Sequence, residues 1–194
     1  ATRAGVIVVH EGYGITPQVI RFCERLAREG YLVVLPDFFF RNGGPDLGDH
    51  ALMGGAVTRE QLRADLATAA EQLRAMGTAS IGITGFCMGG SFSYRGAKEA
   101  DALGIGAAVG FYGSSVADEL GELQCPTLLF FGAADPWIPR EAAEAVRAHH
   151  GDAVVTIYDG AGHGFMRDGS DDYLATAAED AWARMCGHFS AHLR

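Results

Sequence analysis

The chain has 194 residues, 48% of them hydrophobic and 20% charged, with a formal net charge of −9. That size and apolar content suit one domain, residues 1–194, with a sizeable core. The acidic balance excludes the basic footprint of a nucleic-acid binder, no apolar run reaches the roughly 20 residues that span a bilayer, and with no signal peptide in view the expected location is the cytoplasm.

In chain order, residues 5–9 are a short, fully apolar run, as in a strand buried on both faces. A first strand that already reads as central leads us to expect that amino-terminal edge strands are absent. A polar, glycine-rich loop follows, His10-Glu11-Gly12-Tyr13-Gly14. Thr16 and Pro17 then cap and open a helix whose inner stripe is Val19, Phe22, Cys23 and Leu26, and Gly30 ends it. A second strand over 31–35 ends in Pro36-Asp37. Residues 38–57 carry no period, and a loop of that length is commonly a lid or binding loop. Its three successive phenylalanines, from Phe38, read equally as packing or as a substrate wall. Thr58 and Gln61 form a capping-box pattern ahead of a helical stripe through Leu62, Leu66, Ala69, Leu73 and Met76.

A third strand over 80–84 runs into Gly85-Phe86-Cys87-Met88-Gly89-Gly90, and a helix follows to about residue 100. A strand, a sharp glycine-flanked turn and a helix place Cys87 at an apex, the layout of a nucleophile elbow with cysteine in the usual place of serine. The helix would aim free N–H groups and its positive dipole end at the sulfur, favouring thiolate. Cys23, Cys125 and Cys186 lack this setting and read as small buried hydrophobes. The four cysteines have no metal-knuckle spacing, so neither a metal nor another cofactor is expected.

Further strands follow at 105–111, 127–131 and 154–158, with a helix over 140–150 and a final helix whose stripe is Leu174, Ala177, Ala181, Met185 and Phe189. Strands alternating with helices, and apolar on both faces, predict a mostly parallel, doubly wound α/β sheet flanked by helices. Such a sheet gathers its site at the strands' carboxyl ends. Glu11, Asp37, Cys87, Tyr112, Asp135 and His163 all lie there.

The order Cys87, Asp135, His163 is the nucleophile–acid–base order of α/β-hydrolases. A thiol is little ionised at neutral pH and needs a base, which His163 can supply; Asp135 would fix the imidazole's tautomer and stabilise its cation. The backbone N–H groups of Met88 and Gly12 would form the oxyanion hole. Asp37 is the rival acid, but its strand precedes the nucleophile, so a turn role is expected for it. Asp135 could instead merely cap a turn, and Trp137 could be packing or a substrate wall. The six other histidines read as surface or satisfied core residues.

Taken together, His10-Glu11-x-x-Gly14, Gly85-Phe86-Cys87-Met88-Gly89-Gly90, Phe111-Tyr112-Gly113, Gly132-x-x-Asp135 and Gly162-His163-Gly164-Phe165 with Arg167 resemble the dienelactone hydrolases, or carboxymethylenebutenolidases. The resemblance implies a Cys87–His163–Asp135 triad that cleaves a small ester or lactone through a thioester. It implies that Glu11 contacts the thiol until substrate releases a thiolate, and that Arg167 binds a substrate carboxylate. Tyr112, Phe38, Arg41 and Trp137 are the further substrate-binding candidates. The loop over 38–57 offers Arg41 but no tyrosine where dienelactone-cleaving members carry both, so the resemblance carries over the fold and the hydrolase class further than dienelactone as the substrate. A monomer or small homo-oligomer is expected. Two other readings use the same residues: a non-catalytic ligand-binding domain, and a thiol redox role for Cys87.

Overall fold

A computed structural model of the chain describes residues 3–43 and 55–193. Most of the stretch expected to form a lid lies outside the described residues. Six strands form one sheet: β1 Gly5–Val9, β2 Leu32–Val34, β3 Ile81–Phe86, β4 Ala107–Phe111, β5 Thr127–Gly132 and β6 Val155–Tyr158. Their spatial order is β2-β1-β3-β4-β5-β6, and every pairing is parallel. The helices described are α1 Pro17–Arg28, α2 Arg59–Ala75, α3 Met88–Lys98, the short α4 Ala100–Leu103, α5 Arg140–His150 and α6 Ala175–His192. None of the described helices is long and apolar enough to cross a membrane.

Local chemistry explains the element ends. Thr16 accepts a hydrogen bond from the Val19 N–H at the start of α1, and Pro17 occupies the first turn. Thr58 and Gln61 close a reciprocal capping box on α2. The helix after the elbow stops earlier than its sequence suggests. Glu99 turns out of helical geometry at φ −117°, ψ 21°, and α4 resumes only after it. Two short 3-10 turns, Phe40–Asn42 and Ala117–Glu119, also carry no periodic signal in the sequence.

The four inner strands, β1, β3, β4 and β5, are buried on both faces, which is why they read as largely continuous apolar runs, while β2 and β6 at the edges are half-buried. Along β1, Val6 and Val8 join the core that includes α1 and α6, while Ile7 and Val9 join the one built with α2. From β1 the chain moves outward to β2, then returns to the opposite side of β1 as β3. The winding direction reverses between β1 and β3, and the carboxyl ends of strands at such a point border a crevice. Register sets Val9 level with Gly85, and Phe86 level with Phe111. The loops that begin with His10, Cys87 and Tyr112 therefore leave the sheet side by side.

Glycine at two positions permits this closeness. A Cβ on Gly85 would strike the Gly89 carbonyl and Val9, and one on Gly89 would strike the backbone carbonyls of Val9 and His10. These neighbours are main-chain atoms and the Val9 Cβ, none of which can swing aside. Gly89→Ala is expected to destabilise the fold by roughly 1–3 kcal/mol through overpacking. Gly187→Ala, where a Cβ meets nothing within 4 Å on the exposed side of α6, should stabilise by about 0.5–1 kcal/mol. Paired urea denaturation of the two variants checks both signs.

Candidate active site

Cys87 directly follows β3 at φ 54°, ψ −116°. Such a backbone state costs a residue with a Cβ on the order of 1–3 kcal/mol and persists only where its surroundings impose it. Here the Cys87 N–H donates to the Phe111 carbonyl at 3.0 Å, and the Cys87 carbonyl accepts from the Ser91 N–H at 3.1 Å. Helix α3 opens at Met88, so the N–H groups of its first turn have no partner within the helix and the positive dipole end adjoins the sulfur.

Asp135 and His163 arrive from the ends of β5 and β6. One carboxylate oxygen of Asp135 bonds His163 Nδ1 at 2.7 Å. The other accepts the backbone N–H groups of Trp137 at 2.8 Å and Ile138 at 3.1 Å. The turn role and the histidine role thus fall to different oxygens of one carboxylate. The rival acid Asp37 accepts the Phe39 N–H at 2.9 Å and holds a turn.

His163 is buried, and its Nε2 has no closed hydrogen bond. Burial opposes the imidazolium, but the Asp135 hydrogen bond and the Cys87 sulfur outweigh it, and the pKa is pushed up to about 9. Nε2 is the nitrogen left to exchange a proton with the sulfur. Burial pushes the Cys23 thiol up to about 12, and those of Cys125 and Cys186 up to about 11. All four cysteines are free. Among the described residues, no group of three or more His, Cys, Asp or Glu could hold a metal.

Glu11 departs from expectation. Its side chain is 1% exposed, yet it makes no hydrogen bond to Cys87. Arg167 donates to both carboxylate oxygens, at 3.3 Å from Nε and 3.2 Å from Nη2, and the Tyr112 hydroxyl donates at 3.4 Å. The reason is competitive: two charge-assisted bonds from a guanidinium outweigh one weak S–H donor. Arg167 also bonds Asp172 at 3.2 Å. Tyr112 is wholly buried at φ 38°, and burial next to Glu11 raises its pKa well above the usual tyrosine range. Its hydroxyl therefore stays a proton donor to Glu11. Expected as a substrate contact, Tyr112 is instead spent on Glu11. Arg167 still borders an open groove of about 410 Å³ shared with Tyr13, Arg21 and Asp168.

Two further candidates are not brought to the sulfur. Phe38 is 1% exposed, with its ring against His10 and Phe92, so it packs the core and is no substrate wall. Arg41 makes two 2.7 Å bonds to Asp65 on α2. Trp137, by contrast, lies against His163 with ring centroids 4.7 Å apart.

One contributor has no clear sequence signal. His10 is fully buried, and its Nε2 accepts the Phe38 N–H at 3.0 Å. That leaves Nδ1–H to donate to the Glu11 carbonyl at 2.8 Å. Burial lowers its pKa, which keeps the ring neutral and this tautomer in place. His10 thereby ties the Glu11–Gly12 loop to the loop after β2. In the sequence it stands directly past β1 and opens the His10-Glu11-x-x-Gly14 pattern, but neither says which groups its ring will bind.

Comparison with known proteins identifies the family and the fold. The model of the "Dienelactone hydrolase family" matches residues 1–193. A protein of Escherichia coli strain K12 named "Putative carboxymethylenebutenolidase" is 35% identical over 209 aligned residues, covering 96% of this chain and 76% of its own. A crystal structure titled "Putative Dienelactone Hydrolase", from Klebsiella pneumoniae, is 31% identical, with a TM-score of 0.86 over 98% of this chain and 88% of that one. A Thermogutta terrifontis esterase shares the fold at 18% identity, with a TM-score of 0.68 over 98% of this chain and 84% of its own. The chain belongs to the dienelactone hydrolase family and is a carboxylic ester hydrolase of the α/β-hydrolase fold.

Proposed function

We propose that the protein hydrolyses small esters or lactones by a Cys87–His163–Asp135 triad through a thioester acyl-enzyme. The observation that carries this reading is His163: Nδ1 is bound by Asp135 at 2.7 Å and buried Nε2 has no hydrogen-bond partner, while Asp135 and the neighbouring Cys87 together raise the imidazole pKa. The Cys87 thiolate attacks the carbonyl carbon, and the oxyanion is received by the N–H groups of Met88 and Gly12. As the carbon–oxygen bond breaks, imidazolium Nε2 gives its proton to the departing oxygen. Neutral Nε2 then takes a proton from water, whose oxygen attacks the thioester, and the thiolate leaves with the carboxylic acid complete.

Arg167 and Glu11 give the reading its substrate preference. The guanidinium is already neutralised by Glu11 and Asp172. A substrate carboxylate that takes Arg167 must displace Glu11 from the guanidinium. An acid-bearing ester or lactone is the substrate class this arrangement favours.

Cys87→Ala should lower turnover by about 10³-fold or more, and a thiol alkylator should modify Cys87 before Cys23, Cys125 or Cys186. Turnover that survives full alkylation of Cys87 contradicts the mechanism.

The His163 pKa of about 9 lies above its ordinary 6.5. The proton is therefore held through neutral pH and lost as pH climbs through about 9. The alkaline limb of kcat/KM should centre there. The stability that this shift supplies is complete below 6.5 and disappears over the same rise. Asp135→Asn removes the largest interaction raising the pKa and should move the limb down by one or more pH units, with kcat reduced on the order of 10²–10⁴-fold. A pH–rate series on both enzymes measures it.

Arg167→Ala strands a buried carboxylate, at a cost on the order of 2–3 kcal/mol, below the value for a fully buried pair because the guanidinium is partly in solvent. The double variant Glu11→Gln/Arg167→Ala should recover most of that loss in thermal denaturation.

A further inference from the structure

Among the described residues Trp137 is the most exposed large apolar side chain, at 61%, although it stands between buried Asp135 and Ile138. It is not loosely placed. Its backbone N–H donates to the Asp135 carboxylate at 2.8 Å, and Pro136 and Pro139 stiffen the turn on either side. Its ring lies 4.7 Å from that of His163 at an interplanar angle of 40°. The same carboxylate therefore orients the imidazole and holds the backbone that carries the indole beside it. A rigid aromatic face held open to solvent against a functional histidine is a surface prepared for a ligand.

The proton path says which part of the substrate meets it. On the Cys87–His163 mechanism, on which this inference rests, Nε2 delivers its proton to the departing oxygen. The leaving group must therefore pass beside the imidazole. Among the described residues, two aromatic rings lie against His163. Tyr112 lies 4.9 Å from His163, but it is wholly buried with its hydroxyl engaged by Glu11. Trp137 is the ring with a free face. The charged pair Glu11–Arg167 receives the acid-bearing part of the substrate, which leaves the indole for the alcohol part.

We propose that Trp137 is the leaving-group platform and that it selects esters and lactones of planar, unsaturated or aromatic alcohols over saturated ones. In the acylation step the sulfur–carbon bond forms, the carbon–oxygen bond breaks, and the oxygen leaves with the proton from Nε2 as the alcohol or enol stacked on the indole. Stacking adds on the order of three- to tenfold in kcat/KM for such leaving groups.

The test compares phenyl acetate with a polyfluoroalkyl acetate matched to it in leaving-group acidity. Both give the same acetyl-enzyme, so their kcat/KM ratio isolates recognition of the leaving group. Wild type should favour the phenyl ester by about three- to tenfold. Trp137→Phe should keep most of that preference, and Trp137→Ala should bring the ratio close to one. A wild-type ratio of one overturns the proposal. So does an unchanged ratio in Trp137→Ala, including the case where both esters slow equally, which would make the indole a mere shield for His163. The mechanism beneath is judged separately by Cys87→Ala: turnover surviving that change removes the cysteine chemistry, while a retained ratio with strict dependence on Cys87 removes the platform alone. Phenol quenching of indole fluorescence gives a readout free of turnover. It should exceed quenching by the fluoroalkanol in wild type and lose that excess in Trp137→Phe; equal quenching counts against the platform.

Discussion

Cys87 at φ 54° is the constraint from which the rest of the site follows. The conformation is unfavourable for any residue with a side chain, so several contacts must hold it at once. The Cys87 N–H is bound by the last carbonyl of β4, and Gly85 and Gly89 let α3 press against the end of β1 with no intervening side chain. Because the strand order reverses between β1 and β3, this turn falls where two loops part and leave a crevice. The strain, the glycines and the topology all place one sulfur at the mouth of that crevice and at the start of a helix.

Two buried carboxylates then divide the electrostatic work. Asp135 faces His163 and raises the pKa of the imidazole. Glu11 faces Arg167 and Tyr112 and is thereby held away from the thiol. Exchanging these pairings would give a different site: a Glu11 bonded to the sulfur would oppose its ionisation, whereas a Glu11 held by arginine leaves the imidazole as the sulfur's partner. On the proposed mechanism an acidic substrate would compete for the arginine, which would link the site's resting charge arrangement to its preferred ligand.

The strands were legible because burial on both faces writes them as unbroken apolar runs, and Cys87, Asp135 and His163 were legible because each follows such a run. What the sequence left hidden are choices between partners. Glu11 and Arg167 are 156 positions apart, and nothing local to either says that a guanidinium will outbid the thiol. Phe38 could equally line a site or pack a core, and only the burial of its ring against His10 and Phe92 decides. The structural role of His10 depends on its tautomer, which the Phe38 N–H selects from another loop. The break at Glu99 leaves the helical composition on either side unchanged, so no period marks it.

The central claim is that the elbow sulfur carries the acyl group between two half-reactions. The most direct measurement is acid quenching during steady-state hydrolysis of phenyl acetate, followed by digestion and mass spectrometry of the peptide that contains Cys87. The account predicts an acetyl group on Cys87 that accumulates during turnover and disappears once substrate is exhausted. Sustained hydrolysis with Cys87 unmodified throughout, or with the acetyl group on another residue, would contradict it.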